Sequence, residues 1–162
     1  MLIAGQGCVV NMSCIKGSKP QPGLIGYCMA KAGLESVTKS AALELARFGV
    51  RVNCVAPSYL NTNLYRTAGL NELDIDSIMQ KESDTNPMNR CANVEEVCHT
   101  VVHLTSQHSK MVTGQIVHCD GGKNLTVRGQ QAWFGMTDGS QKAFEVGESS
   151  SFLDFFKTKF RT

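Results

Sequence analysis

One stretch decides the fold: residues 27–57, which read YCMAKAGLESVTKSAALELARFGVRVNCVAP. Its first part carries apolar residues at intervals of three and four, which predicts an amphipathic helix over Tyr27–Phe48. The apolar positions are Ala30, Leu34, Val37, Ala41, Leu45 and Phe48. Gly49 is a natural stop for that helix. Val50–Ala56 is a run rich in β-branched residues that is closed by Pro57, as expected of a strand.

The residues before this stretch complete a supersecondary unit. Cys8–Ser13 reads as a short buried strand, and residues 14–23 form a loop rich in glycine and proline. Strand, helix and strand joined by short links predict a right-handed βαβ unit with a parallel sheet.

The residues after this stretch add a helix and a strand. The segment 58–90 reads as irregular, with only weak helical patches, and a long segment after a strand's carboxyl end is where a substrate lid is expected. Asn93 and Glu96 have the spacing of a capping box for a helix that runs through Leu104. Gln115–Cys119 is a third strand. We therefore predict an α/β fold, a partial Rossmann-like doubly wound parallel sheet of about three strands with helices.

Composition places the chain among globular proteins and excludes several partners. Of 162 residues, 42% are hydrophobic and 19% charged, and the net charge of +2 gives no reason to expect nucleic acid or a membrane as partner. No apolar run approaches the roughly 20 residues of a membrane span, and the first residues do not resemble a signal peptide. The seven cysteines are odd in number and scattered without Cys-x-x-Cys, which favours reduced, mostly buried thiols and a cytoplasmic location. His99 and His103 have metal-ligand spacing, but no further ligands are placed to close a site, so no metal is predicted.

Tyr27 and Lys31 form the most suggestive chemical pair in the sequence. Four residues apart, they share one face of the predicted helix. An ammonium near a phenol favours the phenolate, so Lys31 is expected to lower the Tyr27 pKa from about 10 and make it a usable proton donor. The alternative is a solvated helix face without function. On the same helix, Glu35 and Lys39 are expected to form an i,i+4 ion pair.

An ordered series of motifs surrounds this pair. The series runs Asn11-Met12-Ser13-Cys14-x-x-Gly17, Pro22-Gly23, Tyr27-x-x-x-Lys31, Gly49-Val50-Arg51-Val52-Asn53-x-Val55-x-Pro57, Thr62, Pro87-x-x-Arg90, Glu95-Glu96-Val97 and Thr113-Gly114-Gln115-x-x-x-x-Asp120-Gly121-Gly122. In order and spacing it resembles the carboxyl-terminal half of a short-chain dehydrogenase/reductase, over about residues 6 to 125.

The resemblance implies hydride transfer between NAD or NADP and a small-molecule carbonyl or alcohol, with the choice of cofactor left open. It implies that Tyr27 protonates the carbonyl oxygen, or deprotonates an alcohol in reverse, and that Lys31 assists it and binds the nicotinamide ribose. The backbone of Leu60 and the hydroxyl of Thr62 match positions that contact the nicotinamide carboxamide or the phosphates. The implied cofactor-binding residues are Tyr27, Lys31, Pro57, Ser58, Leu60 and Thr62. It further implies a homo-oligomer formed through the helix of residues 27–48.

Two positions depart from the family pattern. Cys14 stands where the family has its catalytic serine, and a thiol is a weaker hydrogen-bond donor than a hydroxyl. Cys14 is either a reactive thiol beside Lys16 or an inert replacement for the serine. Ser13 is adjacent, but it needs a bulge or a register slip to substitute, because successive strand residues point to opposite faces. Ser58 replaces a glycine that usually follows the proline.

The Gly-rich turn that meets the cofactor pyrophosphate has no counterpart in the sequence. We therefore expect residues 1–125 to form the carboxyl-terminal half of a Rossmann-type domain, and 126–162 a tail whose order the sequence leaves open. Two hypotheses follow. One is an oxidoreductase in which Tyr27 is the general acid and base. The alternative is a truncated, inactive product that acts only as an oligomerisation or interaction module.

Overall fold

The computed structural model describes residues 5–126. Its helices and strands, in order along the chain, are β1 Gly7–Met12, α1 Ile25–Ala46, β2 Val50–Pro57, α2 Asn63–Thr67, α3 Glu72–Asp84, α4 Val94–Thr105 and β3 Ile116–Cys119. The predicted tail of residues 126–162 lies, apart from Thr126, outside the described residues.

The three strands form one parallel sheet in the order β1-β2-β3. Val9 pairs with Val52 and Met12 with Val55, while Val55 also pairs with Val117 on the other side. The predicted fold class, an α/β fold with a parallel sheet, is confirmed. The carboxyl ends of all three strands lie at one edge of this sheet, where ligands of such folds bind.

Helix α1 covers one face of the sheet. Buried Ala42 packs against Val50 and Val52 of the central strand, and Val9 of β1 joins the same cluster. The helix begins two residues earlier than predicted and ends at Ala46. Gly49, with a φ of 70°, then turns the chain into β2, and a β-carbon there would collide with the carbonyl oxygen of Gly5. Only glycine therefore fits this turn.

Helix α4 covers the opposite face. Val97 and Leu104 pack against Val55, which is completely buried. The predicted capping box is confirmed: Asn93 accepts a hydrogen bond from the Glu96 amide at 2.9 Å, and Glu96 accepts one from the Asn93 amide at 2.9 Å. This cap fixes where α4 begins, at the mouth of the cleft described below.

The segment 58–90 is more regular than predicted. It contains the short helix α2 and the 13-residue helix α3, whose N-cap Asn71 accepts a hydrogen bond from the Asp74 amide. The sequence signal is weak because Ile75 alone among the α3 residues is fully buried, so that no apolar stripe develops.

One expectation about surfaces is corrected. The thiols are not mostly buried: only Cys28 and Cys54 are, and Cys98 is exposed, although all seven cysteines are free. On α1 a stripe of apolar side chains faces solvent; its members are Ile25, Met29, Val37 and Leu43. Among residues 5–126, no helix has the length and apolar character needed to span a membrane.

Candidate functional site

A cleft of about 660 Å³ opens at the carboxyl ends of β1 and β2. It lies between the start of α1, the loop after β2, the helices α2 and α3, and the start of α4. All the site residues predicted from the sequence line it: Ser13, Cys14, Tyr27, Lys31, Pro57, Ser58, Leu60 and Thr62. The fold thus brings together residues up to 49 positions apart, from Ser13 to Thr62.

Tyr27 and Lys31 lie on the first two turns of α1. The Lys31 ammonium is 5.5 Å from the centroid of the Tyr27 ring, and it donates a hydrogen bond to the Met12 carbonyl at 2.9 Å. The Tyr27 side chain is partly accessible, at 37% exposure. A ligand in the cleft can therefore reach the phenol while Lys31 stays anchored to the end of β1.

The expected direction of the Tyr27 pKa is wrong for this structure. Burial, followed by the neighbouring Cys14 thiol, raises the pKa of Tyr27 to about 12. With its ammonium bonded to Met12, Lys31 does not reverse this shift. Tyr27 is accordingly a protonated phenol at neutral pH, which is the form that donates a proton.

The two candidates for the serine position differ in what their side chains contact. Ser13 continues the ladder without a bulge, since its amide donates to the Val55 carbonyl at 2.8 Å. Its hydroxyl donates to the Glu35 carboxylate at 2.9 Å, so Glu35 is engaged by Ser13 and not by Lys39 as expected. Cys14, next in the chain, is half-buried and lines the cleft beside Tyr27. The Ser13 hydroxyl is therefore engaged by Glu35, whereas the Cys14 thiol is the group beside the Tyr27 phenol.

Gly17 explains why the loop after β1 lies so close to α1. A β-carbon at this position would lie 2.5 Å from Glu35 Oε1 and 3.1 Å from the Lys31 carbonyl carbon. Because only a hydrogen fits there, the loop that carries Cys14 can press against the turn of α1 that carries Lys31.

The loop after β2 supplies the other wall of the cleft. Ser58 is buried, and its amide donates to the Cys119 carbonyl at 3.2 Å. Its φ is not positive, so serine replaces the expected glycine without backbone strain. Leu60 packs against the cluster around Val55, and Thr62, at the start of α2, makes no capping hydrogen bond with its side chain.

The lining residues that the sequence did not predict include two aromatic ones, Tyr59 and Tyr65. Their rings stack with centroids 6.4 Å apart and planes 7° apart, and the Tyr59 hydroxyl donates to Gln21 at 2.7 Å. Together with Tyr27 they are all the tyrosines of the chain. The sequence signal for them was the presence of two aromatic residues shortly after the end of β2. This signal was missed because the segment shows no helical or strand periodicity.

The far end of α3 is attached to the turn after β3. Asn86 donates to the Asp120 carbonyl at 2.9 Å, and Lys123, almost buried, forms an ion pair with Glu82 at 3.2 Å. A β-carbon at Gly121, whose φ is 61°, would collide with Asn86. The predicted turn of residues 120–122 thereby holds the helix that borders the cleft.

Comparison with known proteins identifies the family. The family model described as Enoyl-(Acyl carrier protein) reductase matches residues 1–124. The chain belongs to the short-chain dehydrogenase/reductase family. The resemblance drawn from the motifs is therefore confirmed.

Curated relatives of this short-chain dehydrogenase/reductase chain include reductases and dehydrogenases. The 3-oxoacyl-[acyl-carrier-protein] reductase FabG of Rickettsia conorii is 38% identical over 116 residues, which are 72% of this chain and 46% of the relative. The cis-4-hydroxycyclohexanecarboxylate dehydrogenase of Sinomonas cyclohexanicum is 40% identical over 122 residues, 75% of this chain and 47% of the relative. The chain spans about half the length of the curated relatives it matches.

Solved short-chain dehydrogenase/reductase structures share the fold. A Caenorhabditis elegans member of the family, solved with cofactor, has a TM-score of 0.74 at 27% identity, over 80% of this chain and 49% of that one. A gluconate 5-dehydrogenase from Burkholderia cenocepacia, solved with NADP and tartrate, has a TM-score of 0.70 at 26% identity, over 78% of this chain and 48% of that one.

Proposed function

We propose that the chain functions as an oxidoreductase that transfers hydride between NAD or NADP and a small-molecule carbonyl or alcohol. The observation that supports this most strongly is the single cleft in which Tyr27, Lys31 and Cys14 meet the loop that follows Pro57. Family membership gives the reaction type, and the cleft provides a place for both reactants.

In this proposal Tyr27 is the general acid and base. Its phenol carries its proton at neutral pH and can donate that proton to a carbonyl oxygen as hydride arrives, although the raised pKa makes it a weaker acid than a free tyrosine. Beside it, the Cys14 thiol can donate a weak hydrogen bond to the same oxygen. Lys31 acts as a nearby positive charge that stabilises the tyrosinate once the proton has left.

The cleft also fits the nicotinamide part of the cofactor. Apolar walls that include Leu60, with the Lys31 ammonium and the Thr62 hydroxyl also lining the cleft, match a flat aromatic ring attached to a ribose. When bound, the cofactor supplies or accepts the hydride. Lys31, the backbone at Leu60 and the Thr62 hydroxyl would hold it, with Pro57 and Ser58 shaping the wall.

We further propose that α1 pairs with α1 of a second copy. The apolar stripe of this helix, with Ile25, Met29 and Leu43 more than 70% exposed, is the observation in favour. Pairing through this helix would suit either an active oligomer or the rival interaction module.

We also propose that residues 1–125 form the carboxyl-terminal half of the Rossmann-type domain. We propose the cytoplasm as the location of the protein.

The decisive experiment combines cofactor binding with turnover. The purified chain is titrated with NADH and NADPH by fluorescence, and reduction of cyclohexanone is followed by loss of the reduced cofactor. Tyr27→Phe is expected to lower turnover at least about 100-fold, because it removes the proton donor, while cofactor affinity stays near that of the unchanged chain.

Two results would contradict the proposal. Turnover of Tyr27→Phe close to that of the unchanged chain would mean that another group moves the proton. Absence of binding of both cofactors up to millimolar concentration would favour the interaction module.

A further inference from the structure

We propose that the cleft selects a carbonyl substrate with an apolar body and one anionic group, and that Lys16 binds that group. This inference rests on the proposed reaction and names its substrate class. It follows from the chemistry of the cleft walls and from what each nearby charged side chain already contacts.

The walls of the cleft are apolar and aromatic. The lining residues include Leu64, Tyr65, Leu70 and Ile78, all from the segment that follows β2. Such a wall gains free energy by covering hydrocarbon and offers few partners to a polyhydroxylated substrate. The body of the substrate is accordingly apolar.

The charges that line the cleft are all positive. Lys16 and Lys31 are its only charged lining residues within the described part of the chain. An apolar cleft with cationic groups and no carboxylate attracts an anion, since the low-dielectric walls weaken screening.

Of these two lysines, Lys16 has the uncommitted ammonium. Lys31 donates to the Met12 carbonyl at 2.9 Å. Among residues 5–126, no hydrogen-bond acceptor or carboxylate contacts the Lys16 ammonium. It lies instead 5.1 Å from the centroid of the Tyr59 ring, which Gln21 holds in place. A cation–π contact leaves the donor hydrogens free for a ligand.

The basic residues next to Lys16 are occupied. Lys19 donates to the Lys123 carbonyl at 2.9 Å and to the Thr126 hydroxyl at 3.0 Å. Lys123 is paired with Glu82. These contacts leave Lys16 as the cation of this group that is available to a substrate.

The position of Lys16 in the chain defines the shape of the substrate. It stands two residues after Cys14, on the same loop, so the anion and the reacting carbonyl are bound from one side of the cleft. A single apolar ring or a short chain between carbonyl and anion suits that arrangement. The anion can be a carboxylate or a phosphate, since both accept hydrogen bonds from an ammonium.

The test compares matched probes by calorimetry on the purified chain. The probes are cyclohexanecarboxylate, cyclohexyl phosphate and the neutral cyclohexanecarboxamide. We expect at least one anion to bind about tenfold tighter than the amide, as suits a charge-assisted hydrogen bond at a half-buried site. The preferred anion identifies the source of the charge. Lys16→Met should abolish the preference and Lys16→Arg should retain it.

Lys39→Met serves as the matched control, because it removes the same charge from an exposed position on α1 outside the cleft. The preference should survive this change. In the unchanged chain, added salt should weaken binding of the anion and leave that of the amide constant.

Equal affinities for anions and amide, binding of no probe, or a preference that survives Lys16→Met would overturn the inference. None of these results affects the test of the proposed function, because reduction of the neutral cyclohexanone does not depend on Lys16. Conversely, if the unchanged chain fails to reduce cyclohexanone but still prefers the anionic probes, only the proposed reaction would be refuted.

Discussion

Replacing Cys14 by serine is expected to raise the rate of carbonyl reduction. In the structure this thiol lies half-buried in the cleft beside Tyr27, and the motif resemblance matches it with the family's serine. A hydroxyl is smaller and a stronger donor, so it stabilises the charge that develops on the carbonyl oxygen better than a thiol does.

The size of the gain follows from what the thiol contributes now. A neutral hydrogen bond adds about 1 kcal/mol net, and a thiol provides only part of that. Recovering about 1 kcal/mol of transition-state stabilisation corresponds to roughly a fivefold higher kcat. Removing one hydrogen-bond donor from a preorganised oxyanion site lowers kcat by about 100-fold, and this factor is the upper limit for the gain in kcat expected here.

A second readout accompanies the first. The Cys14 thiol is, after burial, among the causes that raise the pKa of Tyr27 to about 12, and serine does not ionise in this range. The Tyr27 pKa of Cys14→Ser should therefore be lower. Absorbance titration of tyrosinate can detect this, because Cys14 is among the causes that raise the pKa of each of the three tyrosines of the chain.

The assay measures kcat and KM for cyclohexanone with the reduced cofactor. Cys8→Ser is the control, since Cys8 lies at the opposite edge of the sheet and its thiol contacts the Leu104 carbonyl at 3.3 Å. A fall in kcat for Cys14→Ser, with the fold intact, would refute the reasoning and assign the thiol a role of its own.

Two further predictions concern the free energy of unfolding. Burial raises the pKa of Tyr27 and Tyr59 to about 12, so the fold favours the protonated phenols. The free energy of unfolding should therefore be unaffected below about pH 10 and fall as the pH rises from there to 12. Tyrosinate absorbance should appear over the same range. Tyrosinate formation centred near pH 10 would contradict this. Gly17→Ala should destabilise the chain by about 1–3 kcal/mol in thermal unfolding, because the added carbon overlaps Glu35, whereas Gly33→Ala, where nothing lies within 4 Å, should stabilise it by about 0.5–1 kcal/mol. Equal melting temperatures for the two variants would show that the loop around residue 17 shifts to accommodate the added carbon, which would contradict the prediction.

Local signals predicted most of the architecture. The period of α1, the β-branched composition of β2 and the capping box at Asn93 each depend on residues a few positions apart, so the sequence displays them directly. Because helices connect the strands, the strands run parallel, and the loops after Met12 and Pro57 lie at the same edge of the sheet. The motif resemblance named site residues on these loops and at the start of α1, and the fold brings those residues together in one cleft.

Some properties depended on contacts between distant parts of the chain. The i,i+4 spacing predicts an ion pair between Glu35 and Lys39. The Glu35 carboxylate instead accepts a hydrogen bond from the hydroxyl of Ser13, which is 22 residues away. The length of α3 was missed because a helix fixed to the turn after β3 by Asn86 needs little periodicity of its own.

The sequence by itself determined the order of the three strands with α1 and α4, and it determined the family; that Tyr27 and Lys31 form the catalytic pair stays a prediction. Only the tertiary structure decided the direction of the Tyr27 pKa, the availability of Lys16 and the place of Tyr59 and Tyr65 in the cleft. The physical reason is that helix periodicity and capping are short-range, whereas burial and charge pairing depend on which distant residues the fold brings together.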